Sequence, residues 1–202
     1  MKLTASMMLT LDGVYQGPGG PEEDRRGGFE RGGWTAAYAD SEGWSFLTSW
    51  FQRADAFLLG RRTWEIWESY WPFHDGGDPV SHGINVLPKY VPSSTLADPG
   101  WQNTHVISGD VGAAVRELKA NPGRELQVHG SGALLRWLLE HDLVDQLNLR
   151  IYPVIVGDGL RLFPERGQTH DLELIESRST STGVMLQTYR PNGRATFGNV
   201  DE

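Results

Sequence analysis

Cysteine is missing altogether from these 202 residues. Its absence excludes a disulfide framework, a thiolate nucleophile and any Cys-ligated zinc or iron–sulfur centre. Positive charge is scarce as well: 18 Lys and Arg face 26 Asp and Glu, which leaves a formal net charge of −8. With no basic run, general binding to nucleic acid or to an anionic membrane is not expected, although a few clustered arginines can still hold a small anion. No apolar stretch approaches the ~18 residues that a membrane helix needs. The start, Met1-Lys2-Leu3-Thr4-Ala5, runs straight into a strand pattern without a signal peptide's apolar segment and cleavage site, so the expected location is the cytoplasm. The 6 histidines show no metal-ligand spacing, and no metal site is expected.

Glycine, in contrast, is abundant: 25 residues, about 12% of the chain against ~7% in average usage. Eight tryptophans and the lack of low-complexity tracts place that glycine in the loops of a folded protein, where function concentrates. Residues 3–9 read as a buried strand that leaves through Leu11-Asp12-Gly13-Val14, and residues 17–33 as a long loop of the lid or binding type. A helix is predicted over 41–53, with Ser41 as N-cap and Trp44, Leu47 and Phe51 on its inner face. Residues 56–59 form a short strand stopped by Gly60, and a helix opens at Arg61. Residues 74–82 read as irregular, with a strand near 84–87. A strand at 105–108 leads to a helix capped by Asp110, whose Val111, Ala114, Val115 and Leu118 follow helical spacing. Residues 125–129 form a strand, Gly130-Ser131-Gly132 a tight turn and 133–141 a helix. Leu147, Leu149 and Ile151 alternate as in a strand, and Pro153 then predicts a bulge or kink. Residues 172–178 and 184–189 make a C-terminal hairpin. The strand-helix repetition with an antiparallel ending predicts an α/β fold. It is a three-layer αβα domain over 1–202, core about 3–190, around a mixed, mostly parallel sheet.

Two segments share one physical form, a short apolar strand, a glycine and a helix start. In Leu58-Leu59-Gly60-Arg61-Arg62-Thr63-Trp64, free N–H groups, the positive helix end and two arginines suit a phosphate, although an ordinary turn with solvated arginines has the same pattern. In Val128-His129-Gly130-Ser131-Gly132-Ala133, the bare turn lets a backbone approach a pyrophosphate. A full dinucleotide fingerprint would need glycine where Leu135 stands, and a hydrolase elbow around Ser131 would need glycines at 129 and 133. Asp12 at a strand exit is first a turn-former and second a candidate to bind or protonate a substrate.

Together with Thr10-Leu11-Asp12-Gly13 and Leu143-Val144-Asp145-Gln146-Leu147 continuing to Pro153, Gly157-Asp158-Gly159 and Leu162-Phe163, these segments fall in a familiar order. The chain resembles the dihydrofolate reductase-like superfamily, and within it the riboflavin-biosynthesis reductase domain found at the C-terminus of a bifunctional deaminase-reductase. The likeness spans roughly residues 3–189. It implies a reductase using NADPH, acting on a small heterocyclic, imine or carbonyl substrate, and a homodimer. It also implies that Gly60, Arg61, Arg62 and Thr63 bind cofactor phosphates, that Gly130, Ser131, Gly132 and Ala133 cradle the pyrophosphate, and that Ser93 and Ser94 contact the adenosine side. Asp12 would face the substrate, and the proton would come from Asp12, from Glu42 or through water. The deaminase's H-x-E and Cys pair have no counterpart, so a stand-alone reductase is expected. Residues 45–52 hold no acid, a departure from true dihydrofolate reductases, which aim a helix carboxylate at the pterin. That gap keeps a rival open, a dinucleotide-binding dimer without turnover.

Overall fold

A computed structural model describes residues 1–74 and 76–200. Residue 75, within the segment expected to be irregular, and residues 201 and 202 lie outside the described residues. In chain order the elements are β1 (Lys2–Thr10), α1 (Ser41–Phe51), β2 (Ala54–Leu58), α2 (Arg61–Glu68), α3 (Pro79–Val86), β3 (Lys89–Pro92), β4 (Thr104–Ile107), α4 (Val111–Ala120), β5 (Glu125–His129), α5 (Gly132–Glu140), β6 (Gln146–Tyr152), β7 (Leu172–Ser179) and β8 (Met185–Pro191). All eight strands join one sheet in the order β4-β3-β2-β5-β1-β6-β8-β7. β4 through β6 run parallel, and the hairpin β7–β8 adds to β6 antiparallel. The fold is the expected α/β sandwich.

Side-chain alternation along the strands sorts residues onto two faces. Ala56 and Leu58 of β2 join Leu3, Leu126 and Leu147 under Val115 of α4 and Leu135 of α5. Phe57 and Leu59, the alternate residues, meet Phe51 of α1, Trp64 of α2 and Ile84 of α3 on the other face. A third cluster, with Val14, Phe29, Trp34 and Tyr152, anchors the long loop after β1.

Two local expectations change. Asp40, not Ser41, caps α1 by accepting from the Gly43 N–H at 2.6 Å, and Trp44 faces solvent while Trp50 and Phe51 are buried. Residues 79–86, expected as loop and strand, form α3 because Asp78 accepts from the N–H groups of Val80 and Ser81 and Pro79 fits the first helical position. The strand follows as β3. At Pro153 the kink of the two alternatives is what forms, and the bulge is not: β6 ends at Tyr152, the chain bends at Pro153 with the Val154 N–H donating to the Tyr152 carbonyl at 2.8 Å, and Val156 turns into the third cluster.

Candidate functional site

Parallel strands finish at one edge of the sheet, and β2 and β5 are neighbours. The two strand-glycine-helix turns therefore meet side by side. The Gly60 N–H donates to Ser131 Oγ at 2.9 Å, and that hydroxyl donates to the His129 carbonyl at 2.9 Å. It also lies 3.0 Å from Thr63 Oγ1. Gly130 sits at φ +58°, the left-handed region that glycine enters without strain. α1, α3 and α4 each begin with an aspartate cap, Asp40, Asp78 and Asp110. α2 and α5 have no side-chain cap. Their first-turn N–H groups, from Arg61, Arg62, Thr63 and from Gly132, Ala133, Leu134, are left for another acceptor at the same edge.

Charge collects beside them. Arg61 Nε bonds Glu65 at 2.8 Å, and Arg62 lies 3.4 Å from Glu65 and 4.0 Å from Asp24. Arg26, from the loop after β1, holds Asp24 in a fork at 2.9 and 2.6 Å. Three arginines against two carboxylates leave a local positive excess on an acidic protein. One nitrogen of Arg61, Nη1, is buried without a hydrogen-bond partner. The Tyr15 ring lies over the second turn, where a Cβ on Gly132 would come within 2.5 Å of it. Arg26 and Tyr15 were not among the expected site residues. They come from a loop without periodicity, and nothing local in the sequence points that loop at α2 and α5.

Ser93 and Ser94 follow β3, one strand beyond Gly60 at the same edge. Ser93 Oγ accepts from the N–H groups of Thr95 and Leu96, while Ser94 is exposed.

Asp12 is at this edge too, but its carboxylate is fully engaged. It accepts from the Thr10 hydroxyl at 2.6 Å and from the N–H groups of Val156 and Gly157 at 3.2 and 3.0 Å, and pairs with Arg161 at 3.2 Å. Burial alone would raise its pKa, yet the hydrogen bonds from Thr10, Gly157 and Val156 outweigh that and hold it at about 2. Such a group has no proton to give at neutral pH, and its role here is to clamp residues 156–161 onto the end of β1. Glu42 is also displaced from the role considered for it. It pairs at 3.7 Å with Arg178 of β7, the outermost strand, four places along the sheet from β5.

The clamp makes a prediction. Asp12→Asn loses the ion pair and turns an acceptor into a donor facing backbone N–H groups, so stability at pH 7 is expected to fall by about 2 kcal/mol. A carboxyl with a depressed folded pKa contributes fully above its ordinary value and loses that contribution as pH falls towards 2. Urea midpoints of variant and wild type should therefore converge between roughly pH 4 and pH 2. Unchanged midpoints combined with a turnover loss of about 100-fold would restore Asp12 to the chemistry.

Beneath α1, a buried polar chain crosses the sheet face. Arg53 and Thr4 hold Glu125, at 2.8 and 3.0 Å, and Gln127 Nε2 donates to Glu125 at 2.6 Å and to the Trp50 carbonyl at 2.7 Å. Gln127 Oε1 is thus an acceptor, so His129 Nε2 is the protonated nitrogen at 2.9 Å, and its Nδ1 keeps a free lone pair. Burial, reinforced by the Arg150 charge, pushes the His129 pKa down to about 3, and the ring is neutral. Concavity does not single out this edge: a cavity of about 710 Å³ lies at the opposite ends of the strands, beside Lys2, Lys119 and Gln146. No helix among the described residues is long and apolar enough to cross a membrane.

These features belong to a known class. Residues 1–186 match the RibD C-terminal domain family, and the chain belongs to that reductase-like family. It is similar to YyaP of Bacillus subtilis strain 168, an uncharacterised protein, at 27% identity over 195 residues, 95% of this chain and 96% of YyaP. Among solved structures, the "putative riboflavin biosynthesis protein" of Shewanella sp. PV-4 superposes with a TM-score of 0.71 at 22% identity, covering 95% of this chain and 99% of the other. A pyrimidine reductase-like protein of Corynebacterium diphtheriae gives 0.62 at 14% identity over 95% and 92% of the two chains. At those identities the structures speak for the fold alone.

Proposed function

We propose that this protein is an NADPH-dependent reductase of a small flat heterocycle or of an imine or carbonyl compound. The observation that carries the reading is the pair of uncapped helix starts joined through Gly60 and Ser131 beside an arginine cluster. A dinucleotide fits those groups: one helix start for the pyrophosphate, a second with Arg61 and Arg62 for a further phosphate, and a buried Arg61 Nη1 still lacking an acceptor. Membership of the RibD C-terminal domain family supports it.

In this reading Gly130, Ser131, Gly132 and Ala133 hold the pyrophosphate. Arg61, Arg62 and Thr63 hold the 2′-phosphate, and Ser93 and Ser94 border the adenosine. NADPH supplies the hydride when bound, and the protein's share is binding, orientation and exclusion of water. Asp12 is ionised and clamped, Glu42 lies far along the sheet, and His129 is neutral with a pKa of about 3. The proton is therefore taken from water. The same lack of a side-chain donor favours one alternative, a module that binds the dinucleotide without turnover.

NADPH is expected to bind at least roughly tenfold more tightly than NADH, the worth of one charge-assisted hydrogen bond. Arg62→Glu should abolish that preference. Fluorescence titration at matched ionic strength measures both, and equal dissociation constants in the wild type would remove the 2′-phosphate assignment. Following NADPH oxidation with pterins, ribosylaminopyrimidines and simple carbonyls separates enzyme from module. Tight binding with no oxidation of any kind supports the module.

A further inference from the structure

Four charged side chains of the described residues are buried: Asp24, Lys89, Glu125 and Arg150. Three of them are satisfied. Asp24 has Arg26, Glu125 has Arg53, and Lys89 donates to three backbone carbonyls. Arg150 is different: only 6% exposed, its guanidinium makes no hydrogen bond or ion pair with any described residue, and its Nε is buried without a partner. Its one packing partner of note is the Trp50 ring, with Cζ 5.7 Å from the centroid.

The position of Arg150 is as telling as its isolation. It sits on β6 in register with Met8 of β1 and Leu186 of β8, two residues short of the strand's carboxyl end. It shares a sheet face with Asn148 and with the buried chain that ends in His129, roofed by α1. His129 ends β5 in register with Ser6, one strand nearer the glycine turns, and is neutral, so no second cation competes there for an anion. Holding a guanidinium mostly out of water without a counter-charge is costly, and only its Nε is fully buried, so the outer nitrogens still open to the surface, where a ligand can supply the missing charge. The planar fork suits two oxygens, or an oxygen and a ring nitrogen, held edge-on.

We infer that Arg150 is a specificity-determining residue that receives an anionic oxygen of the substrate, and that the substrate class is a small flat ring bearing a carboxylate or enolate. The inference deepens the reductase reading and rests on it for what happens to that ring once bound.

Benzoate and benzamide have the same shape and differ in charge, and calorimetric titration of each into the full-length protein, with and without NADPH, tests the idea. The wild type should bind benzoate about tenfold or more tightly than benzamide. Arg150→Gln should erase that difference and leave NADPH affinity unchanged. Arg150→Met, which swaps an unpaired buried charge for an apolar chain, should raise the Tm by several degrees while losing benzoate. Equal binding of the two probes by the wild type, no benzoate binding at all, a preference that survives in Arg150→Gln, or a lowered Tm in Arg150→Met would each overturn the assignment. A wild type that prefers benzoate but does not bind NADPH would leave the Arg150 site standing and sink the reductase reading.

Discussion

Gly132→Val is expected to lower dinucleotide affinity by about 100-fold or more while costing about 1–3 kcal/mol of stability. Gly132 is the first residue of α5, and a Cβ there would stand 2.5 Å from Cζ and 2.6 Å from Cε1 of Tyr15. Moving that ring aside gives up its packing against the first core cluster, and the backbone at its base cannot follow: the Tyr15 N–H donates to the Leu160 carbonyl at 2.9 Å, and Val14 is buried in the third cluster. Two effects therefore overlap, a blocked approach to the α5 N–H groups and a displaced loop. Tyr15→Ala in the same chain separates them. Gly132→Val with Tyr15→Ala should recover most of the lost stability, since the clash is gone, but not the affinity, since the valine still covers the turn. Measured by urea unfolding and NADPH fluorescence, a folded Gly132→Val protein with normal affinity would move the pyrophosphate cradle elsewhere.

Lys89→Met should be the most damaging single change to stability, at about 3–5 kcal/mol. The Lys89 side chain is wholly buried, and its ammonium donates to the carbonyls of Ile84 and Leu87 at 2.9 Å and of Asn85 at 3.3 Å. These carbonyls belong to the C-terminal end of α3, where a helix leaves acceptors unpaired and favours positive charge. The ring of Trp101 lies 4.2 Å from the same nitrogen. Methionine keeps the stem's volume and strands the carbonyls of Ile84 and Leu87, while that of Asn85 keeps the Gln102 amide at 3.3 Å, so the loss is of hydrogen bonding and not of packing. Equilibrium unfolding with an unchanged m-value would register it as a shift in midpoint. A change below about 0.5 kcal/mol, the range of ordinary surface substitutions, would mean water replaces the ammonium there.

Much of the candidate site was legible because its signals are local. Gly60 and Gly130 punctuate apolar strands just before helical periodicity, and that alone marks two helix starts at strand ends. Asp110 is readable as a cap for the same reason, while the equally local signal of Asp78-Pro79 is masked by the apolar run at 84–87, which resembles a strand. Asp12 shows the opposite limit. Asp-Gly at a strand exit does signal a turn, but its bonds to Val156, Gly157 and Arg161 reach across more than 140 residues of sequence. Those bonds decide that it is a clamp. Arg150 was hidden by its own pattern, since Asn148 and Arg150 alternate with Leu147, Leu149 and Ile151 as the solvent face of a half-exposed strand would.

By itself, then, the sequence determined the succession of strands and helices outside residues 74–87, the parallel sheet with its antiparallel ending, and the two glycine turns. Each rests on periodicity, capping or backbone freedom within a few residues. Only the tertiary structure decided that β2 lies against β5, so that the two turns share Ser131, and that α1 covers the polar face of β6, so that Arg150 is buried without a partner. The pairing of strands some seventy residues apart is settled by which arrangement buries the most apolar surface with every backbone group bonded, a property of the whole chain that no short stretch of it carries.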